Sequence, residues 1–270
     1  MNFINQLKQR WENSNSLLCV GLDPDLSRFP DILKRSPKPI FEFNKAIIDA
    51  THDLVCAYKP QIAYFAAVSA EDQLQATIDY IHQNYPDIPV ILDAKRGDIG
   101  STAAMYALES FERYAADAVT LNPYMGYDSA QPFLSYADKG CVFLCRTSNA
   151  GAADYQDLLV DGKPLYMRVA RRISEQWNGN HNCLLVVGAT WPEQMADLRV
   201  VVGDMPFLVP GIGAQGGDVG AIMQAGLTSN KQGLLINSSR GILYAGGGSD
   251  FAEQSRKQAL LLRDEINQFR

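Results

Sequence analysis

Histidine is scarce in this chain: His52, His82 and His181 are the only three in 270 residues, and each stands alone. No histidine cluster is available to hold a metal. Cysteine is present but unorganised. Cys19, Cys56, Cys141, Cys145 and Cys183 make an odd count, show no CxxC or Cys/His spacing, and lie in or beside apolar segments. That excludes a disulfide scaffold and a zinc site, and fits buried free thiols in a reducing cytoplasm. With no histidine placed to activate a thiol, a catalytic cysteine is not expected either. No apolar run approaches the length of a membrane span, and the start, MNFINQLKQRWENS, has an amphipathic helical look without a signal-peptide block. Charge of one sign is also in short supply. At 20% charged residues and a formal net charge of -6 there is no basic field for nucleic acid or an anionic membrane. A linker or composition shift is missing too, so one domain over residues 1–270 is expected, with 47% hydrophobic residues to fill its core.

What the chain does have is a repeated strand-like signal. LLCVGLD (17–23), VCAYKP (55–60), PVILDAK (89–95), AVTLNP (118–123), CVFLCRTS (141–148), LLVVGAT (184–190), FLVPGIG (207–213) and GLLINSS (233–239) recur along the chain, most of them rich in Val, Ile and Leu without polar alternation. Parallel strands covered on both faces read this way. Between them run helical patterns. FEFNKAIIDATHD places Phe43, Ile47 and Ala50 on one face, and AEDQLQATIDYIHQN does the same with Leu74, Ile78 and Ile81. LYMRVARRISEQW and DFAEQSRKQALLLRDEI are further helices, and AGGGSD (245–250) is a loop before the last one. Strand then helix, eight times at this length, predicts an α/β fold, a single (β/α)8 TIM barrel, with a doubly wound open sheet as the alternative.

A barrel places its chemistry at the carboxyl ends of its strands. The ends carry Asp23, then Lys59, then Asp93, Lys95 and Asp98, then Asn122, then Thr147 and Ser148, then PGIGAQGGD, then NSSRG. The densest of them, PVILDAKRGDIGST (89–102), sets two acids and two bases against the mouth of a buried strand. Charge runs are ordinarily solvated surface, but charges at such a strand end line a crevice. GIGAQG (211–216) has the letters of a dinucleotide fingerprint, yet it lies in the last quarter of the chain and lacks the acidic residue about twenty positions on. The loops after strands seven and eight of a barrel commonly bind phosphate. There, glycine N–H groups, the Gln215 amide and the Arg240 fork suit an anion.

These stretches resemble a known family. LDAKRGDIGST is similar to the D-x-K-x-x-D signature of orotidine 5′-phosphate decarboxylases, and FNKAIIDAT, AYKPQIAYF, TLNPYMGYD, CRTSNAG and VPGIGAQGGD resemble its longer, bacterial-type branch. The likeness runs over about residues 12–245. It implies a homodimeric barrel that converts orotidine 5′-monophosphate to UMP and CO2 without a metal or organic cofactor. It also implies site roles. Lys59, Asp93, Lys95 and Asp98 would form the charged array. Asp98 and Thr102 would reach the neighbouring subunit's site, Asp23 would hold ribose hydroxyls, and Ser148 would meet the pyrimidine. Pro210, Gln215 and Arg240 would bound the phosphate. Arg96 has no catalytic part and is expected to be structural or at the dimer interface. The long loop after strand five (149–163) has no defined approach to the base.

The chemistry such an array suits is specific. Loss of CO2 from C6 leaves a carbanion in the ring plane, where no π system spreads the charge. A fixed ammonium at Lys95 stabilises the anion and then protonates it. Two readings compete with the decarboxylase. A metal-dependent keto-sugar-phosphate decarboxylase or aldolase of the same superfamily carries an acid at the end of strand two, where this chain has Lys59. A catalytically dead nucleotide-binding barrel would have no use for a buried acid–base set.

Overall fold

Asn2 holds extended backbone and its side chain accepts the Asn5 N–H at 2.9 Å, which starts helix α1 (Phe3–Asn13). Phe3, Leu7 and Trp11 recur at helical spacing and are buried. Arg10 of the same helix donates to the carbonyls of Val55 (2.9 Å) and His52 and to Asp87 (2.6 Å), tying α1 to the segments that lead into the second and third strands. The structure, a computed structural model, describes residues 2–212 and 217–270.

Among the described residues eight strands pair in parallel: β1 (Leu18–Leu22), β2 (Ala57–Pro60), β3 (Ile91–Arg96), β4 (Ala118–Leu121), β5 (Gly140–Arg146), β6 (Cys183–Val187), β7 (Phe207–Pro210) and β8 (Leu234–Ser238). Their order is β2-β1-β8-β7-β6-β5-β4-β3. The two outer strands meet through the isolated parallel bridges Tyr58↔Val90 and Gln61↔Asp93, which close the sheet into a barrel and exclude the open doubly wound alternative. The β2–β3 seam is thus the thinnest part of the wall. Every residue of β1, β6 and β8 is buried, as expected of strands covered on both faces.

The cover comes from α2 (Pro39–Thr51), α3 (Glu71–Asn84), α4 (Gly100–Leu108), α5 (Tyr127–Leu134), α6 (Leu165–Arg172), α7 (Pro192–Val202), α8 (Val219–Gly226) and α9 (Phe251–Asn267). Leu74, Ile78 and Ile81 are buried, as are Phe43 and Ile47, whereas Ala50 is only half-buried. The helix expected over 165–177 changes character at Ile173, where a π-helical turn to Trp177 sets the indole edge-on to Phe143 of β5 at 5.4 Å. The segment 149–163 holds a 3-10 turn (Ala150–Asp154), and a hairpin pairs Leu159–Val160 with Lys163–Pro164. All five cysteines are free and buried. No described helix is long and apolar enough to cross a membrane.

Candidate active site

β2 and β3 carry the charged centre. Asp93 is the hub: its Oδ2 accepts Lys59 Nζ at 2.8 Å and its Oδ1 accepts Lys95 Nζ at 2.7 Å. Lys59 and Asp93 are buried, while the Lys95 side chain is 48% exposed toward a cavity of about 420 Å3. That volume falls within the usual range for small-ligand sites, about 300–1,000 Å3. Burial alone pushes the Asp93 carboxyl up, but Lys59 and then Lys95 outweigh it and hold it well below the ordinary carboxylate range. Burial pulls the Lys59 ammonium down. Asp93 and then Asp23 outweigh that, and the net shift is upward. Both groups of the pair are therefore charged across the neutral range. Cys19 lies in the same field, and burial pushes its thiol up to about 12 against the pull of Lys59, so it is no nucleophile.

The expected site residues separate into those the barrel brings together and those it does not. Lys59, Asp93, Lys95, Ser148 and Pro210 line the one cavity. Asp23 follows β1, and its Oδ1 is buried with no hydrogen-bond partner among the described residues. An orphaned buried acceptor of this kind suits a ligand hydroxyl. Ser148 reaches its place because Gly188 opposes it: a Cβ there would lie 2.7 Å from Ser148 Cβ. Arg240 opens a one-turn helix (Arg240–Leu243) after β8 and is exposed. Gln215 lies outside the described residues. Asp98 does not join the array within its own chain: its carboxylate accepts the adjacent Ile99 N–H at 2.8 Å. Thr102 is exposed on the first turn of α4. Arg96 pairs with Glu109 at 2.9 Å and stacks over Tyr106, a structural role.

Several residues of the site carry no signal that motif reading detects. Thr120 of β4 is buried and faces the array. Leu144, Val186 and Leu208, from β5, β6 and β7, form an apolar wall opposite the lysines, with Tyr155 and Gln156 from the loop after β5. That loop is anchored by Arg146, a fully buried cation whose guanidinium lies 4.0 Å from the Trp191 ring and 3.0 Å from Asp157 Oδ2. Among the described residues no group of three or more His, Cys, Asp or Glu side chains is placed to hold a metal ion. Chemically, the cavity offers a lysine held by a buried carboxylate and facing an apolar wall.

Known proteins share this arrangement of chain and fold. Residues 16–254 match the family described as orotidine 5′-phosphate decarboxylase / HUMPS. The orotidine 5′-phosphate decarboxylase of Cellvibrio japonicus (strain Ueda107) is 65% identical over 269 residues, covering 99% of this chain and 98% of that protein. The solved structure of Leishmania donovani OMP decarboxylase superposes with a TM-score of 0.86 at 40% identity, covering 100% of this chain and 98% of the other. The Leishmania donovani UMP synthase structure gives a TM-score of 0.88 at 42% identity, and there this chain spans 56% of the longer protein. With the match running over most of its length, the chain belongs to the orotidine 5′-phosphate decarboxylase / HUMPS family.

Proposed function

We propose that the protein decarboxylates orotidine 5′-monophosphate to UMP and CO2, in pyrimidine biosynthesis, in the cytoplasm. The observation that carries this reading is Lys95 Nζ, held 2.7 Å from Asp93 yet open to the cavity. Decarboxylation at C6 needs a cation fixed where negative charge develops, and an ammonium already oriented by a carboxylate need not reorganise during the reaction. Lys95 then gives its proton to C6 as general acid. Asp93, beside the departing carboxylate, keeps Lys95 in place, and Lys59 holds Asp93 from the other side. A lysine held charged at the end of β2 cannot ligate magnesium, which disfavours the metal-dependent look-alikes.

The ligand's remaining parts have assigned neighbours. Asp23 takes the ribose hydroxyls, Ser148 the pyrimidine, and Pro210, Gln215 and Arg240 the phosphate. Binding energy from the phosphate organises the charged end. Asp98 and Thr102 complete the site of a second copy across a homodimer interface. Supporting this, Ile99, Met105 and Leu108 on the same stretch are 55%, 59% and 47% exposed. Tyr124, Met125 and Tyr127 at the end of β4 are exposed beside them, with α4 packed on α5. Apolar side chains gathered on one face mark an interaction surface.

Ultraviolet absorbance of orotidine 5′-monophosphate incubated with the protein in EDTA tests the activity. The expected result is consumption of substrate with UMP as product, and a loss of roughly a thousandfold or more in Lys95→Ala while UMP still binds. Substrate that binds and persists unchanged overturns the decarboxylase reading. Lys95→Ala activity within about tenfold of the parent overturns the proton-donor assignment.

A further inference from the structure

The third strand is irregular where it matters most. From Leu92 to Arg96, β3 advances four residues (96 − 92 = 4), while its partner β4 advances two, from Val119 to Leu121 (121 − 119 = 2). Asp93, Ala94 and Lys95 occupy this bulge. Lys95 takes a φ of +48°, the left-handed region that a non-glycine residue seldom enters and that is strained for an L side chain. Bulges redirect side chains, and they are common beside active sites.

One side chain meets the whole bulge. Thr120 Oγ1 accepts the Ala94 N–H at 3.0 Å and the Lys95 N–H at 2.9 Å, and lies 2.9 Å from Asp93 Oδ1. A hydroxyl has two lone pairs and one hydrogen. The two amides take both lone pairs, so the hydrogen is directed to Asp93. The direction of this bond follows from valence, with no freedom left to the rotor. Asp93 thereby receives three donors, Lys59, Lys95 and Thr120. Thr120 is 1% exposed.

We infer that Thr120 is a positioning residue for the decarboxylation, clamping the β3 bulge so that the Asp93 carboxylate and the Lys95 backbone hold one geometry. The inference rests on the decarboxylase reading. Thr120 acts through Asp93 and Lys95 and takes no proton itself. Its hydroxyl resists two motions: rotation of the Asp93 carboxylate, and relaxation of Lys95 out of the left-handed region. Either motion would carry the ammonium off the reacting carbon, and misplacement of about 1 Å is worth on the order of a hundredfold in rate.

Thr120→Val keeps the branched shape and deletes the hydroxyl, while Thr120→Ser keeps the hydroxyl and deletes the methyl. With the wild-type protein active, Thr120→Val is expected to lose about ten- to a hundredfold in kcat, with UMP affinity within about threefold of the parent. The acid limb of its pH–rate profile should move upward, because Asp93 has lost a donor that favours its charged form. Thr120→Ser is expected to stay within about threefold of the parent in kcat. A merely structural role would lower the melting temperature of Thr120→Val and leave kcat per folded site and the acid limb where they were, and that outcome overturns the inference. If Thr120→Val does not fold, Thr120→Ser still decides: a loss of kcat as large as that of Thr120→Ala overturns it. An inactive wild-type protein would instead reject the activity itself.

Discussion

At the scale of single residues, the Lys59–Asp93 pair links stability to pH. Asp93 titrates well below its unfolded value, close to 3.9 for a free aspartate. Its contribution is therefore present above about pH 4 and lost as pH falls through the folded value. Lys59 titrates above its unfolded value, close to 10.4, so its contribution is complete below that pH and is lost only as pH rises through the folded value. Between these limits the pair contributes a constant amount. Denaturant midpoints of the wild type and Asp93→Asn should differ by a fixed amount from about pH 5 to about pH 9, and the gap should narrow progressively as pH falls below about pH 4. A gap that stays constant into acid would reject the ion-pair account. The variant is expected to be the less stable at neutral pH, since removing one partner leaves the Lys59 cation buried without its counter-charge, a loss of about 3–5 kcal/mol for buried pairs.

At the scale of elements, the strand ends and the loops they launch decide the site. The eight strands are legible in the sequence because both of their faces are buried, which removes polar alternation and leaves uninterrupted apolar runs. Lys59, Asp93 and Lys95 are legible because charges are rare at such ends. Thr120 is not, since a threonine inside AVTL reads as ordinary β-branched filling, and its partners lie 25 to 27 residues away on another strand. Nor is Arg146, which in CVFLCRTS reads as a solvated end yet is 1% exposed between Trp191 and Asp157 of the loop. Such roles depend on which segments the fold brings together, which no local pattern records. Arg146 donates to Gln156 at 3.3 Å and Asp157 at 3.0 Å, and Gln156 in turn accepts the Thr147 N–H at 2.9 Å. Arg146→Met should therefore loosen the wall formed by Ser148, Tyr155 and Gln156. We expect kcat/KM to fall about ten- to a hundredfold and proteolysis between 147 and 164 to quicken. Arg146→Lys should rescue little, because an ammonium lacks the planar fork. Unchanged proteolysis and kcat/KM in Arg146→Met would show that the loop holds itself.

At the scale of the whole molecule, the proposed homodimer makes each site a joint product of two chains. Lys95 serves its own chain's cavity, and Asp98 is assigned to the neighbour's. Mixing Lys95→Ala with Asp98→Ala, each nearly inactive alone, should then regenerate activity on subunit exchange. In a mixed dimer one site collects both defects and the other collects none. With equal amounts and random pairing, recovery should approach about a quarter of wild-type activity per total site, counting by the two-fold symmetry of an isologous dimer. No recovery after exchange has been verified by mass would show that each chain builds its site unaided.

The β2–β3 seam, closed by two isolated bridges, is also the line that the Lys59–Asp93 pair crosses, and Asp93 itself forms one of those bridges. The barrel is therefore fastened by its own charged centre. A chain with the other seven strand junctions formed but this one open would hold Lys59 on one edge, apart from Asp93 and Lys95 on the other. Turnover on refolding thus requires this seam to be closed. Its return on refolding cannot precede the moment the ring becomes continuous, and the same clasp ties any drift in the charged centre to the integrity of the wall.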